Sequence, residues 1–211
     1  MTKKIEKIWV GKQIDQTIAQ ELATATKLPL ATAKLMAGIG VKTKEEAAAF
    51  IRPDYLTQIH NPFDMRDMDV SIQRIKLAIE RNEKILIHGD YDCDGVTTVA
   101  IAKEALANLA TALGKEIHVD VFTPNRFIDG YGINVNNVER FVSEYDLIIS
   151  GDTGIRAFEA AYQIKQSGQA DLIVTDHHEP MEGHLHELFE NFHARVRKES
   201  IEVDLPAFDA L

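Results

Sequence analysis

The sequence predicts an α/β fold, a doubly wound and mainly parallel sheet that follows a helical N-terminal region. After Lys84, apolar runs of strand length alternate with longer stretches of helical periodicity, which is typical of parallel strands joined by crossover helices. Before Lys84 only helical patterns occur, and the chain carries no repeat or low-complexity tract. We therefore expect a helical region over 1–82 and an α/β domain over 83–211.

The helical region consists of several short predicted helices. Three stretches, DQTIAQELATAT, LATAKLMAGIG and TKEEAAAFI, have alanine-rich and polar faces. The second is expected to stop at Gly38 and Gly40, and Thr43 with Glu46 has the spacing of a capping box that opens the third. After an irregular connection, a further helix with an isoleucine stripe is expected to end near Asn82.

Acidic and imidazole side chains follow three of the predicted strands. The strands are KILIHG, IHVDVF, DLIISG and DLIVTD, separated by helical stretches, and a last helix is expected in HLHELFENFHARVRK. Asp90 follows the first strand, Asp152 the third, and Asp176 with His177 and His178 the fourth. Ligands of open parallel sheets bind beyond the carboxyl ends of the strands, so we expect these side chains to meet there.

The first strand runs directly into three carboxylates, Asp90, Asp92 and Asp94. A polar turn in which Asp94 or Thr97 caps the next helix would explain one of them, but not all three. Asp152 taken alone could also be a helix cap, and the two histidines could be a pair in a loop that happens to follow a strand. Clustered carboxylates repel one another unless a cation lies among them. Taken jointly, these residues indicate a metal cluster.

The ligand types indicate which metal the cluster would hold. Carboxylates with one imidazole and no thiolate suit Mn²⁺ or Mg²⁺ better than a structural zinc ion. An excess of carboxylates can bridge two ions about 3.5–4 Å apart, as in phosphatases and nucleases. Phosphoester hydrolysis is therefore the expected reaction. Cys93 is expected to fill a gap under the acidic turn rather than bind the metal.

Composition limits the class of protein. A formal net charge of −10 on 211 residues argues against a nucleic-acid binder, but only weakly, because metal-binding carboxylates lose their negative excess when ions bind. A single cysteine excludes an internal disulfide and fits a reducing cytoplasm. No apolar run reaches membrane-spanning length, the basic N-terminus lacks the apolar core of a signal peptide, and no nucleotide-binding phosphate loop is present.

Four segments taken in order resemble the successive motifs of the DHH phosphoesterases: GDYDCDGVTT, GYGIN, SGDTGI and VTDHHEP. The N-terminal region is similar to the RecJ branch of that family, the 5′→3′ exonucleases specific for single-stranded DNA. The resemblance covers residues 17 to 180, approximately. It implies hydrolysis of single-stranded DNA with two bound Mn²⁺ or Mg²⁺ ions.

The resemblance also implies roles for individual residues. It assigns metal binding to Asp90, Asp92, Asp94, Asp152 and His177. Asp152 matches the aspartate that bridges the ions. Asp176 and His178 complete the signature as catalytic residues, with a supporting or proton-handling role for His178. Arg126 resembles an arginine near the site and would contact a substrate phosphate.

The chain departs from the family pattern after the histidine pair. Family members continue with a further metal-binding aspartate, a DHH-associated domain and a nucleic-acid-binding OB-fold, whereas residues 181–211 do not match this pattern. Thr153 stands where a cysteine is usual, a change that we expect to be harmless. We expect a catalytic portion, truncated at its C-terminal end, that binds single-stranded DNA weakly and depends on a protein partner or on the missing domains.

Two alternatives remain open. The first is another DHH phosphoesterase that acts on short oligonucleotides, cyclic dinucleotides or pyrophosphate, against which the RecJ-like N-terminal region argues. The second is an inactive RecJ-like domain that serves as an interaction module. The missing C-terminal half favours this second reading, whereas the full set of predicted metal ligands argues against it.

Overall fold

The computed structural model describes residues 10–179. The chain divides into two compact units, Met1–Asp64 and Met65–Leu211. The last predicted helix, in HLHELFENFHARVRK, lies outside the described residues. Among the helices within residues 10–179, none combines the length and the apolar character needed to cross a bilayer.

The first unit is built from short helices, as the sequence predicts. They are α1 (Gln16–Thr26), α2 (Leu30–Gly38), α3 (Lys44–Ile51), α4 (Tyr55–Gln58) and a 3₁₀ turn, Pro62–Asp64. The predicted capping box is present, since the Glu46 amide donates to Thr43 Oγ1 and the Glu46 carboxylate accepts from the Thr43 amide. A small core of Leu22, Ala33, Met36 and Ala47 holds the unit together.

The second unit is a four-stranded parallel sheet with flanking helices. Its elements are α5 (Met68–Glu80), β1 (Lys84–Gly89), α6 (Cys93–Ala112), β2 (His118–Phe122), α7 (Val135–Glu144), β3 (Leu147–Gly151), α8 (Phe158–Ser167) and β4 (Asp171–Thr175). The strand order is β2-β1-β3-β4. All three pairings are parallel, which confirms the predicted doubly wound α/β fold. Helix α5, which the sequence grouped with the helical region, lies in this unit.

The sheet is buried on both faces, because the side chains of the central strands alternate between two cores. On β1, Ile85 and Ile87 pack with Val99 and Leu106 of α6. Leu86, between them, joins the opposite core with residues of α7 and α8, among them Phe141 and Ile164. Continuous apolar strands such as KILI are therefore explained by helices on both sides of the sheet.

A buried arginine fixes the amino edge of the sheet, at the opposite end of the strands from the acidic residues. Arg74 of α5 pairs with Glu83 at 2.7 Å and with Asp171 at 2.6 Å. It also donates to the backbone carbonyl of Asp146 at 3.3 Å. Because these partners lie at the starts of β1, β4 and β3, one guanidinium holds α5 against the starts of three strands.

Candidate metal centre

The candidate site lies at the carboxyl edge of the sheet, between two neighbouring strands, β1 and β3. The connections that follow these two strands run to opposite sides of the sheet. After β1 the chain continues through α6 to β2, and after β3 it continues through α8 to β4 on the other side of the sheet. Such a switch point leaves a crevice between the two strand ends. Asp90 and Asp152 are the first residues beyond β1 and β3, so both stand at this crevice.

One group of carboxylates forms between the ends of β1 and β3. Asp90, Asp92 and Asp152 each offer an oxygen, and these oxygens lie within 4.8 Å of one another. Asp90 is only 2% exposed, and one of its oxygens accepts a hydrogen bond from the Tyr91 amide at 2.7 Å. Asp92 caps α6, because its Oδ1 accepts from the amides of Asp94 and Gly95.

Glycine at position 95 permits this arrangement. A Cβ at Gly95 would overlap the backbone of Asp90, which cannot move aside as a flexible side chain could. The first turn of α6 therefore touches the end of β1 directly, and this contact brings Asp92 beside Asp90. The cap of α6 is Asp92, whereas capping by Asp94 or Thr97 was the alternative read from the sequence. Cys93 is exposed, so the prediction that it fills a gap under the turn is wrong.

A second group shares Asp152 with the first. Asp152, His177 and His178 offer ligand atoms that again lie within 4.8 Å of one another. His177 Nε2 is 3.0 Å from Asp152 Oδ1, but the two are not in hydrogen-bonding geometry. Asp152 has the backbone of a left-handed turn, with φ of 59°, and it does not cap α8, which begins at Phe158. The aspartate thus stands between both groups in a conformation that few residue types adopt.

Within residues 10–179, the carboxylate of Asp152 lacks the hydrogen bonds that a buried charge requires. The residue is 6% exposed, and neither oxygen has a hydrogen-bond partner among residues 10–179. Burial, followed by the negative charge of Asp92, raises the pKa of Asp152. A buried carboxylate without hydrogen bonds is costly, and a bound cation would remove that cost.

The donor set fits divalent cations that prefer oxygen ligands. The two groups together supply three carboxylates and two imidazoles, without a thiolate. This combination suits Mn²⁺ or Mg²⁺. The acidic and histidine side chains are therefore positioned for a metal site, with Asp152 able to serve both groups.

Asp176 orients the loop that carries the histidines. Its Oδ2 accepts from the Ile155 amide at 2.9 Å, and its Oδ1 lies 2.7 Å from His178 Nδ1. Although burial raises the pKa of Asp176, hydrogen bonds from the amides of Ile155 and His178 hold it below its usual value. The hydrogen bond to Asp176 in turn raises the pKa of His178.

Two tyrosines, which the sequence did not single out, connect the site to Arg126. The Tyr131 hydroxyl lies 3.4 Å from His178 Nε2, and its ring packs edge-on against Tyr91. The Arg126 guanidinium lies over the Tyr91 ring, 4.2 Å from its centroid. Tyr131 stands between Gly130 and Gly132, both with positive φ, and this Gly-Tyr-Gly pattern was the signal available in the sequence.

The structure brings together most of the residues that the sequence proposed. Asp90, Asp92, Asp152, His177 and His178 fall into the two groups of ligand atoms. Asp94 is exposed on the first turn of α6 and belongs to neither group, and Asp176 binds backbone amides instead. His178, proposed as a catalytic residue, also offers a ligand atom to the group that contains Asp152 and His177. The role of each residue remains a prediction.

Comparisons with known proteins place the chain among one group of relatives. Residues 84–194 match the DHH family, N-terminal domain. The chain is 37% identical over 174 residues to the single-stranded-DNA-specific exonuclease RecJ of Bacillus subtilis, which covers 82% of this chain and 21% of the relative. For RecJ of Thermus thermophilus the identity is 37% over 103 residues, covering 49% of this chain and 14% of the relative.

Solved RecJ structures superpose only partly. RecJ bound to manganese aligns with a TM-score of 0.47 at 32% identity, covering 54% of this chain and 28% of that structure. RecJ of Thermus thermophilus in complex with Mn²⁺ aligns with a TM-score of 0.49 at 23% identity, covering 80% and 22%. The chain spans only part of its relatives, 21% of the length of RecJ of Bacillus subtilis and 14% of that of Thermus thermophilus.

Proposed function

The chain belongs to the DHH family, and from this membership we propose that it is the catalytic region of a metal-dependent phosphodiesterase. The proposed reaction is that of a 5′→3′ exonuclease on single-stranded DNA. The named relatives are exonucleases specific for single-stranded DNA, and the similarity to one of them extends over 82% of this chain.

One observation carries the proposal. The buried carboxylate of Asp152 lies between two groups of ligand atoms, and neither of its oxygens has a hydrogen-bond partner among the described residues. A structural aspartate at a strand end would be paired with backbone amides, as Asp176 is. Asp152 would therefore serve both cation positions, together with Asp90 and Asp92 in one group and His177 in the other.

The protein's own residues would position and protonate the substrate. Bound divalent ions would activate a water molecule and stabilise negative charge on the phosphate. His178 is fixed through its Nδ1 by Asp176, which leaves its Nε2 facing the Tyr131 hydroxyl. This nitrogen is available to hold the proton that the leaving oxygen requires. Arg126, held over the Tyr91 ring, would bind a phosphate of the strand.

The finer features of the proposal concern substrate, partners and location. We propose that the substrate is single-stranded DNA, bound weakly by this chain and more tightly with a protein partner or further domains. The division into a helical region over 1–82 and a catalytic domain over 83–211 belongs to the proposal as well. So does a cytoplasmic location, for which the single cysteine is the support.

Calorimetric titration with Mn²⁺ tests the metal centre directly. The native chain and an Asp152→Asn variant should be compared, because asparagine has the same shape and also tolerates the left-handed backbone of position 152. We expect the native chain to bind Mn²⁺ and the variant to lose that binding. If neither protein binds Mn²⁺ specifically, the prediction of a metal centre is wrong and an inactive interaction module becomes the better interpretation.

The substrate requires a separate assay. Degradation of 5′-phosphorylated single-stranded DNA in Mn²⁺ should be followed beside the hydrolysis of dinucleotides and cyclic dinucleotides. We expect strand degradation by the native chain and none by Asp152→Asn. Hydrolysis of the dinucleotides alone would contradict the exonuclease and support a DHH phosphoesterase for short substrates.

A further inference from the structure

Arg156 is a second arginine at the metal-binding edge, and neither the sequence motifs nor the two ligand groups include it. It lies in the loop between β3 and α8, is exposed, and donates from Nε to the backbone carbonyl of Glu179 at 2.7 Å. That carbonyl follows the histidine pair. The hydrogen bond therefore ties the loop of Asp152 to the loop of His177 and His178.

Within the part of the chain that the structure describes, the Nη end of this guanidinium has no partner. Among residues 10–179, Arg156 makes a single hydrogen bond, the one from Nε, and no carboxylate pairs with its Nη atoms. An arginine held by a neutral carbonyl has no adjacent carboxylate to offset its positive charge, whereas an arginine in a salt bridge does. Its two Nη groups form the planar fork that matches two oxygens of a phosphate.

The position of Arg156 complements that of Arg126. Arg126 lies over Tyr91, Tyr91 packs against Tyr131, and Tyr131 packs against His178. Arg156 is joined by the hydrogen bond from its Nε to Glu179, the residue that follows His178. The two guanidiniums thus approach the histidine loop through different contacts, Arg126 through the two tyrosine rings and Arg156 through Glu179.

We propose that Arg156 binds a phosphate of the substrate beside the histidine loop of the metal centre, separately from the phosphate contact proposed for Arg126. The proposal rests on the proposed function, because it takes the substrate to be a nucleic-acid strand. A strand has a phosphate at every nucleotide, so two separate phosphate contacts would hold it in register. A merely structural arginine would serve only to join the two loops.

Strand binding, rather than activity, separates the two roles. We would measure the affinity of a fluorescent oligodeoxythymidylate with phosphorothioate linkages, which resist hydrolysis, in Mn²⁺ at several salt concentrations. The variants are Arg156→Gln, Arg156→Lys and Lys165→Gln. The last removes the same charge from the end of α8, far from the carboxyl edge of the sheet.

We expect Arg156→Gln to weaken strand binding by about 10- to 100-fold, the range for loss of a hydrogen-bonded charge. The salt dependence, as the slope of log K against log salt, should become shallower by about one phosphate contact. Arg156→Lys should keep the slope and recover part of the affinity, and Lys165→Gln should change neither. Mn²⁺ affinity, measured by calorimetry, should be the same in all variants.

Two results would overturn the proposal. If Arg156→Gln leaves strand affinity and salt slope unchanged while the native chain binds both Mn²⁺ and the strand, Arg156 does not contact phosphate. If Arg156→Gln lowers Mn²⁺ affinity in parallel with strand affinity, its role is to join the two loops. Absence of Mn²⁺ binding by the native chain is a different outcome, which contradicts the proposed function and this inference together.

Discussion

At the scale of single residues, Asp152 is placed for a cation at a cost to the protein without one. Its backbone is left-handed, its carboxylate is buried without a hydrogen-bond partner among residues 10–179, and its pKa is raised by burial and by the charge of Asp92. Each of these features opposes folding of the metal-free chain. The stability of the chain should therefore respond to position 152 in opposite directions with and without metal.

We predict that Asp152→Asn stabilises the metal-free protein, because the variant removes the buried charge and keeps the tolerated backbone. A gain of about 1 kcal/mol would raise Tm by about 2–4 °C in a chain of this length. Added Mn²⁺ should raise Tm of the native chain and leave that of the variant unchanged. Thermal unfolding in EDTA and in Mn²⁺ measures both. A lower Tm for the variant in EDTA would contradict the prediction.

His88 makes the stability of the protein dependent on pH. It is fully buried between Phe122 and Phe141, and both ring nitrogens lack a partner among residues 10–179. Burial lowers its pKa from 6.5 to about 4. Between these pH values the unfolded chain binds a proton that the folded chain does not. The contribution of His88 to the free energy of unfolding is therefore fully present above pH 6.5 and is lost as the pH drops towards 4.

We predict that this proton costs about 3 kcal/mol of unfolding free energy across that window. Urea unfolding in EDTA at a series of pH values measures the loss. His88→Leu, which keeps an apolar side chain in the same core, should show a correspondingly smaller loss. Parallel pH profiles for the two proteins would show that another group is responsible.

At the scale of elements, the metal centre depends on a close contact between α6 and β1. Gly95 lies against the backbone of Asp90 in the first turn of α6, where alanine would normally favour the helix by about 1 kcal/mol. Here a Cβ would overlap backbone atoms, and overpacking of this kind costs about 1–3 kcal/mol. The helix would have to shift away from the strand.

We predict that Gly95→Ala lowers the stability of the protein and weakens Mn²⁺ binding by an order of magnitude or more, because a shifted α6 carries Asp92 away from Asp90. Gly38→Ala is the matched control, since a Cβ there would meet only Ile14 at ordinary contact distance. The control should bind Mn²⁺ as the native chain does. Calorimetry on both variants provides the measurement, and unchanged Mn²⁺ affinity in Gly95→Ala would refute the role of this contact.

The elements were predictable from the sequence where local pattern determines structure. The four strands, the capping box of α3 and the stop of α2 at Gly38 follow from apolar periodicity and from cap chemistry. The parallel sheet then brings Asp90, Asp152 and His177 to one edge, which the order of elements alone indicates.

Other features depend on packing that the sequence does not display. Asp92 rather than Asp94 caps α6, and Gly95 lets that turn pack against the end of β1. Tyr131 reaches His178 from a loop distant in sequence, and Arg156 meets Glu179 across two strand ends. Local pattern cannot show such contacts, because they depend on which loops the sheet places side by side.

At the scale of the whole molecule, the net charge of −10 opposes the proposed substrate. In the proposed function the carboxylates of the metal centre would face the substrate phosphate, so a strand should be repelled until cations bind. Strand binding should therefore require the metal, beyond any requirement of the chemical step.

We predict that the affinity for a hydrolysis-resistant single strand falls on the order of tenfold or more when EDTA replaces Mn²⁺, because repulsion by unneutralised carboxylates then opposes phosphate binding. Fluorescence anisotropy with the two solutions at equal ionic strength measures the effect. Asp152→Asn should show a smaller difference between them. Equal affinity of the native chain in EDTA and in Mn²⁺ would place the strand away from the carboxylates.

The strand order has a consequence for the time course of folding. The two central strands, β1 and β3, pair residues that are far apart in sequence, as Ile85 with Leu147, because β2 and two helices lie between them in the chain. Asp90 and Asp152 meet only after that pairing is made, late in any folding route that begins with local contacts. A metal ion can then contribute little to the folding rate, and its stabilisation acts by slowing the rate of unfolding.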